Sequence, residues 1–311
     1  MRQAVKSKRH GKIILMGEHS VVYQKPAIAL PFKAVNTNVI IQENDKQAIE
    51  TSTYFGSIAK LSDDYLGIKT LIMAMIEKFS LEADNFLIKI ESTIPIQRGL
   101  GSSAAVSIAL VDAFDEYFKL SLDDHEKIQL FHISESIHHR NPSGIDTRVI
   151  YENKAILFEK NQKIITFSPD ISAYLVVADT GITGDTSIAV NKVKEKIATD
   201  DSAVQKIEKL GILTKNTYHS LLVNNIKEIG LNMTEAHKIL KALGVSHTKL
   251  DQFVNLSINN QALGAKLTGG GLGGCMIALV DSKEKAHKLQ TILENNGAVA
   301  TWKFQLKEMT K

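Results

Sequence analysis

A chain of 311 residues with 44% hydrophobic content can bury a substantial core, and its length favours two domains. A net charge of +3 with interspersed signs, and only 6% aromatics, gives neither a basic footprint for nucleic acid nor a stacking platform, so neither nucleic acid nor a membrane is expected as partner. The single Cys275 excludes an internal disulfide and fits a reducing, cytoplasmic compartment, and the apolar run Ile13–Met16 is far too short for a signal peptide.

In chain order, residues 11–16 read as a strand ending in a charged turn at Gly17-Glu18-His19. Val21–Tyr23 and Ala27–Leu30 read as short hairpin strands about Lys25-Pro26, and Asn38–Gln42 as a further strand. Helical spacing of Leu71, Met75, Ile76 and Phe79 predicts a helix over 65–79, followed by a strand over 86–92. A Gly loop then opens onto an apolar helix from Ala104 to Phe118. Ser121–Asp124 predicts a capping-box start for a helix running to about His138, which the turn Arg140–Gly144 ends. Two strands over 154–158 and 164–167 read as a hairpin, and Tyr174–Ala178 as a buried strand. Residues 186–261 are almost wholly helical in pattern, with breaks placed at Gly211, Gly230 and Gly244. Strands over 265–268 and 276–280 flank the loop Gly269–Gly274, and a helix over 283–293 and a strand over 299–305 finish the chain. The domain boundary is expected between residues 168 and 169, beside Pro169, giving domains 1–168 and 169–311.

The stretch Pro95–Ala105 carries the most chemistry. Gly99 and Gly101 allow a sharp turn, Ser102 or Ser103 can cap the helix that follows, and unpaired N–H groups at the helix start favour a phosphate. Gly99, Gly101 and Ala104 match the dinucleotide pattern G-x-G-x-x-A, yet Asp115 and Glu116 come too early to serve a ribose. A Walker loop would need a lysine, which is absent. Phosphoryl transfer requires such a cradle, a divalent cation, and charge around the attacking hydroxyl. Ser102 or Ser103 and Glu135 can supply oxygens to Mg²⁺, while Lys12 and Asp146 remain as a charged pair for the acceptor.

Three ordered motifs resemble those of the GHMP kinases: Gly11-Lys12 with Gly17-Glu18-His19, then Pro95–Ala105, then Lys266–Cys275. Within that family, Glu18–Tyr23 with Pro26–Ala29 is similar to the mevalonate kinases, whereas galactokinases continue Glu-His with Thr-Asp-Tyr. The turn Asn141–Asp146 is similar to the one carrying the family's catalytic aspartate. The resemblance implies an α+β, two-domain fold, with an S5-like N-terminal domain, a ferredoxin-like C-terminal domain and ATP in the cleft. It implies ATP-dependent phosphorylation of the primary hydroxyl of mevalonate, with Mg²⁺, and is compatible with a homodimer. Carried over by motif, Asp146 and Lys12 would flank the hydroxyl, and Ser103 and Glu135 would hold Mg²⁺. Pro95, Arg98, Gly99, Leu100, Gly101, Ser102, Ser103 and Ala104 would cradle the phosphates. Lys12, Glu18, His19, Asp146, Thr180 and Gly270 would meet the acceptor. The sequence departs from the family where Arg9-His10 replaces the usual Ala-Pro, where Gln97-Arg98 replaces smaller residues, and where Leu272 interrupts the last glycine run.

Plainer readings stand beside these. In isolation Lys12 is an ordinary strand-end lysine, Glu18-His19 a buried turn-ordering pair, and Cys275 a small packing residue. His132, Glu135 and His138 have a zinc-like look, but they spread over about a third of the helix circumference, a poor fit to one tetrahedral ion. His139 reads as solvated.

Overall fold

The computed structural model describes residues 2–138 and 144–308. The chain divides into two compact units, one made of residues 1–11, 35–95 and 101–151, the other of 12–34, 96–100 and 152–311. Strands β1 (Val5–Met16) and β2 (Ala27–Glu43) pair with each other and contribute to both units.

The first unit adds β3 (Ala48–Glu50), β4 (Phe55–Gly56), helix α1 (Leu66–Lys78), β5 (Phe86–Ser92), and helices α2 (Ser102–Phe118), α3 (Asp124–His138) and α4 (Ile145–Glu152). Its strands run in the order β4-β3-β5-β2, with β5 antiparallel to residues 37–43 of β2 and parallel to β3. Val35, Thr37, Val39 and Ile41 are buried while the residues between them are not, the period-2 pattern of a sheet with one covered face. Helix α2 packs on α3, and its Phe114 and Phe118 meet Phe86 edge-on at 5.7 and 5.4 Å. Full burial of such a ring contributes about 1.5–3 kcal/mol.

In the second unit, residues 27–29 of β2 pair with β6 (Ala155–Phe158), which pairs with β7 (Ile165–Phe167). There follow β8 (Tyr174–Asp179), helices α5 (Thr186–Thr199), α6 (Asp201–Leu222), α7 (Ile226–Ala242) and α8 (Thr248–Asn259), then β9 (Gly264–Thr268), β10 (Cys275–Val280), α9 (Lys283–Asn295) and β11 (Ala300–Gln305). A second sheet in the order β11-β8-β10-β9 is antiparallel throughout. Every residue of β9 and β10 is buried, so both strands are covered on both faces, β10 by a continuous apolar run and β9 with Lys266 and Thr268 among its buried residues. Phe32 packs against Trp302 and Phe304 at 5.9 and 5.4 Å. No helix among the described residues is long and apolar enough to cross a membrane.

Four local readings need correction. Val21–Tyr23 is a 3-10 turn (Ser20–Tyr23) with no hairpin strand, because His19 and Gln24 flank it at φ 61°. The N-cap of α2 is Gly101 at φ 78°; Ser102 and Ser103 are the first helical residues and make no cap. The capping box belongs to Asp123 and Glu126, whose side chains each accept the other's backbone N–H at 2.8 and 3.2 Å, and α3 starts at Asp124. Gly211 and Gly230 lie inside α6 and α7, and the helices break instead at Asp200 and at 223–225, while Gly244 falls in the third break as read. Gly230 stays helical for a packing reason: a Cβ there would lie 2.3 Å from the Leu263 carbonyl. His139 and residues 140–143 of the turn read at 140–144 lie outside the described residues.

Candidate active site

The second unit brings three glycine-bearing segments together. Backbone of β1 reaches the loop of residues 96–100 through Lys12 N–H, which donates to the Leu100 carbonyl at 2.9 Å. Thr268 at the end of β9 donates its hydroxyl to the Ile14 carbonyl and accepts from the Ile14 N–H, at 2.9 and 3.2 Å. Gly99 abuts Gly269 so closely that a Cβ on Gly269 would lie 2.8 Å from the Gly99 Cα. Glycine is needed at both positions for that approach, and both have positive φ. The Gly269–Gly274 loop is held from the other side by Leu272 N–H to the Val245 carbonyl and Gly274 N–H to the Ile182 carbonyl, at 2.8 and 2.7 Å. Thr180, just past β8, donates both its hydroxyl and its amide to the Gly274 carbonyl.

The turn after β1 is joined to the same loop. His19 is buried, and its Nε2–H donates to the Gly270 carbonyl at 2.9 Å, which leaves Nδ1 as a buried acceptor with no partner among the described residues. Glu18, also buried, accepts from Lys266 Nζ, which donates in addition to the Leu267 carbonyl at 2.7 Å. Lys266 is fully buried in β9. Burial pushes the Glu18 carboxyl up and the Lys266 ammonium down, and the charge of each opposes the other's shift. Lys12, 4% exposed, adds a second positive charge that favours the ionised Glu18. Behind Lys266, His237 accepts the Leu267 N–H at Nδ1 and donates from Nε2 to Asp251 at 3.3 and 3.1 Å. The sequence places Lys266 at the head of the third motif without a role, and nothing in it points to His237.

Burial lowers the pKa of His19 to about 4, against the bond to Gly270, and that of His237 to about 4, against the Asp251 charge. Unfolded histidine titrates near 6.5, so between about pH 4 and 6.5 the unfolded chain binds more protons than the native one. Stability from these two residues is therefore fully present above about pH 6.5 and drains as pH falls toward 4. Close to two protons, one per imidazole, should be taken up on unfolding near pH 5. Denaturant midpoints between pH 7 and 5 should fall with that slope and flatten in His19→Gln/His237→Gln; an unchanged slope in the double variant would refute the assignment.

In the first unit, Gly101 opens α2, and the partly exposed Ser102 and Ser103 present the first N–H groups of a 17-residue helix, where the positive end of its dipole lies. Ala104 is buried beneath them. Glu135 of α3 is buried, accepts the Thr147 hydroxyl of α4 and lies 3.4 Å from His132 Nδ1. Asp146 stands half-buried in the first turn of α4. Among the described residues no group of three or more His, Cys, Asp or Glu side chains is placed to hold a metal, and His132 is half exposed. Pro95 closes the segment before the loop.

The family description "GHMP kinases N terminal domain" matches residues 68–152 and "GHMP kinases C terminal" matches residues 217–299. The chain is 33% identical over 297 residues to a mevalonate kinase of Thermococcus onnurineus, with 88% of each chain covered. It is 34% identical to a mevalonate kinase of Pyrococcus horikoshii over the same share. Among solved structures it matches mevalonate kinase from methicillin-resistant Staphylococcus aureus at 30% identity and a TM-score of 0.77, over 99% of this chain and 100% of that one. The ordered motifs, the two-part α+β fold and these matches over nearly the full length place the chain in one family: it belongs to the GHMP kinases, beside the mevalonate kinases.

Proposed function

We propose that the protein transfers the γ-phosphoryl group of ATP to the primary hydroxyl of mevalonate. The observation that carries this reading is the meeting, in one unit, of the Gly17–His19 turn, the loop of residues 96–100 and the Gly269–Gly274 loop, in a chain 33% identical to a mevalonate kinase. Residues 98–104 cradle the phosphates with backbone N–H groups, and Pro95, which has no N–H to donate, fixes the entry to that loop. His19 Nδ1 accepts from an acceptor hydroxyl, Glu18 and Thr180 shape the acceptor loops, and Gly270 lies beside them. Asp146 orients the attacking hydroxyl and takes its proton late, and Lys12 offsets the negative charge that develops on oxygen.

Mg²⁺ belongs to the same reading. The hydroxyl of Ser103 and the buried carboxylate of Glu135 are hard oxygen donors of the kind this ion accepts, and they would hold it. Bound, it supplies neutralising charge to the phosphate oxygens. Division of the chain into domains 1–168 and 169–311 is supported by the N-terminal family match ending at 152 and the C-terminal one starting at 217. A cytoplasmic setting goes with this reading, supported by the free, buried Cys275.

The test is an acceptor panel in a coupled ADP-release assay. Mevalonate should be turned over, and phosphomevalonate, galactose and homoserine should not. No turnover of mevalonate with good turnover of phosphomevalonate would reassign the acceptor; nucleotide binding without turnover of any acceptor would make the protein a regulator.

A further inference from the structure

Arg98 is a departure from the family pattern, and the second unit shows what surrounds it. Its Nε donates to Asp179 Oδ1 and its Nη2 to the Gly181 carbonyl, both at 2.9 Å. Its Nη1 is buried and has no hydrogen-bond partner among the described residues. Arg98 lines a small pocket with Gln97, Gly99, Thr186, Thr268 and glycines of the 269–274 loop, and among the described residues no acidic side chain lines it. A guanidinium carries its charge at every physiological pH and offers five donors in a rigid fork. Burying such donors unspent is costly unless something else accepts from them.

The surrounding backbone is fixed with care. Asp179, 3% exposed, also accepts the Gly181 N–H at 2.8 Å, so one carboxylate clamps both the guanidinium and the turn beneath it. Gln97 is held at φ 56°, an uncommon conformation for a residue with a side chain, and its carbonyl accepts the Gly184 N–H at 3.1 Å. The Arg98 carbonyl packs so near Gly274 that a Cβ there would lie 2.9 Å away. Strained backbone of this kind persists where the surroundings over-determine it, and it clusters at ligand clamps.

We propose, on the reading of the site given above, that Arg98 Nη1 binds an anionic oxygen of a substrate in this glycine-lined pocket, and that Asp179 is its positioning residue. The oxygen belongs either to a phosphoryl group of ATP or to the carboxylate of the acceptor; the chemistry recognised is the same.

The experiment titrates the full-length protein calorimetrically with MgATP, tripolyphosphate and mevalonate separately, in wild type, Arg98→Gln, Arg98→Lys and Asp179→Asn, with a thermal melt on each. Arg98→Gln should fold and weaken at least one ligand about tenfold or more. Loss of MgATP and tripolyphosphate together identifies a phosphoryl contact, and loss of mevalonate alone a carboxylate contact. Arg98→Lys should restore only part of the affinity, because a point charge lacks the fork. Asp179→Asn should weaken the same ligand and spare the other, a selectivity that general loss of packing would not give. Arg98→Gln that binds all three as wild type does overturns the proposal. If that variant does not fold, unchanged affinities in Arg98→Lys overturn it, as does a wild type that binds none of the three. A wild type that binds the phosphates through Arg98 yet phosphorylates no mevalonate overturns only the assigned reaction.

Discussion

Asp146→Asn should lower kcat about a hundredfold or more while the protein melts as wild type does and still binds ATP. The amide keeps the size and the hydrogen-bonding reach of the carboxylate, so what is lost is the ability to accept a proton. An aspartate has a reference pKa near 3.9, and an alcohol is a far weaker acid, close to water. That gap makes full deprotonation before transfer far too uphill, so on the proposed reading the carboxylate acts late, in a loose transition state, by orienting the hydroxyl and receiving its proton. On the same reading Lys12→Met should cost as much, since it removes the buried ammonium proposed to offset the charge on the hydroxyl oxygen. Single-turnover kinetics on purified variants make the comparison, and near-normal turnover in either removes that residue from the mechanism.

Lys266→Met should destabilise the protein by about 3–5 kcal/mol, because it leaves the Glu18 carboxylate buried with its main counter-charge gone. Lys266 is 0% exposed and donates to both Glu18 and the Leu267 carbonyl, so water cannot take over its role without opening β9. Glu18→Gln/Lys266→Met should recover most of that loss, since a pair of neutral groups carries no comparable desolvation penalty. The double variant should nonetheless show a raised KM for the acceptor, as the turn carrying His19 loses its tie to the strand that leads into Gly270. Urea unfolding at constant m-value measures the first effect. A Lys266→Met protein as stable as wild type would show that the ion pair is not the link described.

Much of the candidate site was legible because its signals are local. The run Gly99-Leu100-Gly101-Ser102-Ser103 needs only its own backbone to form a turn and open a helix, and the period of apolar residues in α1, α2 and β5 marks those elements without reference to the rest of the chain. Even there the finer detail went elsewhere: with Gly101 already at φ 78°, the helix needed no hydroxyl cap, and both serines were carried inside it. Gly230 is a breaker by propensity, at about 1 kcal/mol against alanine, but a Cβ there would strike the Leu263 backbone, so this close approach requires glycine inside the helix. The Ser20–Tyr23 turn took apolar residues that read as a strand, because the left-handed backbone at His19 and Gln24 denies them extended neighbours.

Residue order alone therefore places most of the turns, helices and charged motifs along the chain, and with them the family. Partnerships arose only on folding: Lys266 meets Glu18 across 248 positions, and Arg98 meets Asp179 across 81. No short-range pattern encodes such pairs, since a buried charge is tolerable only where packing has excluded water and delivered its opposite.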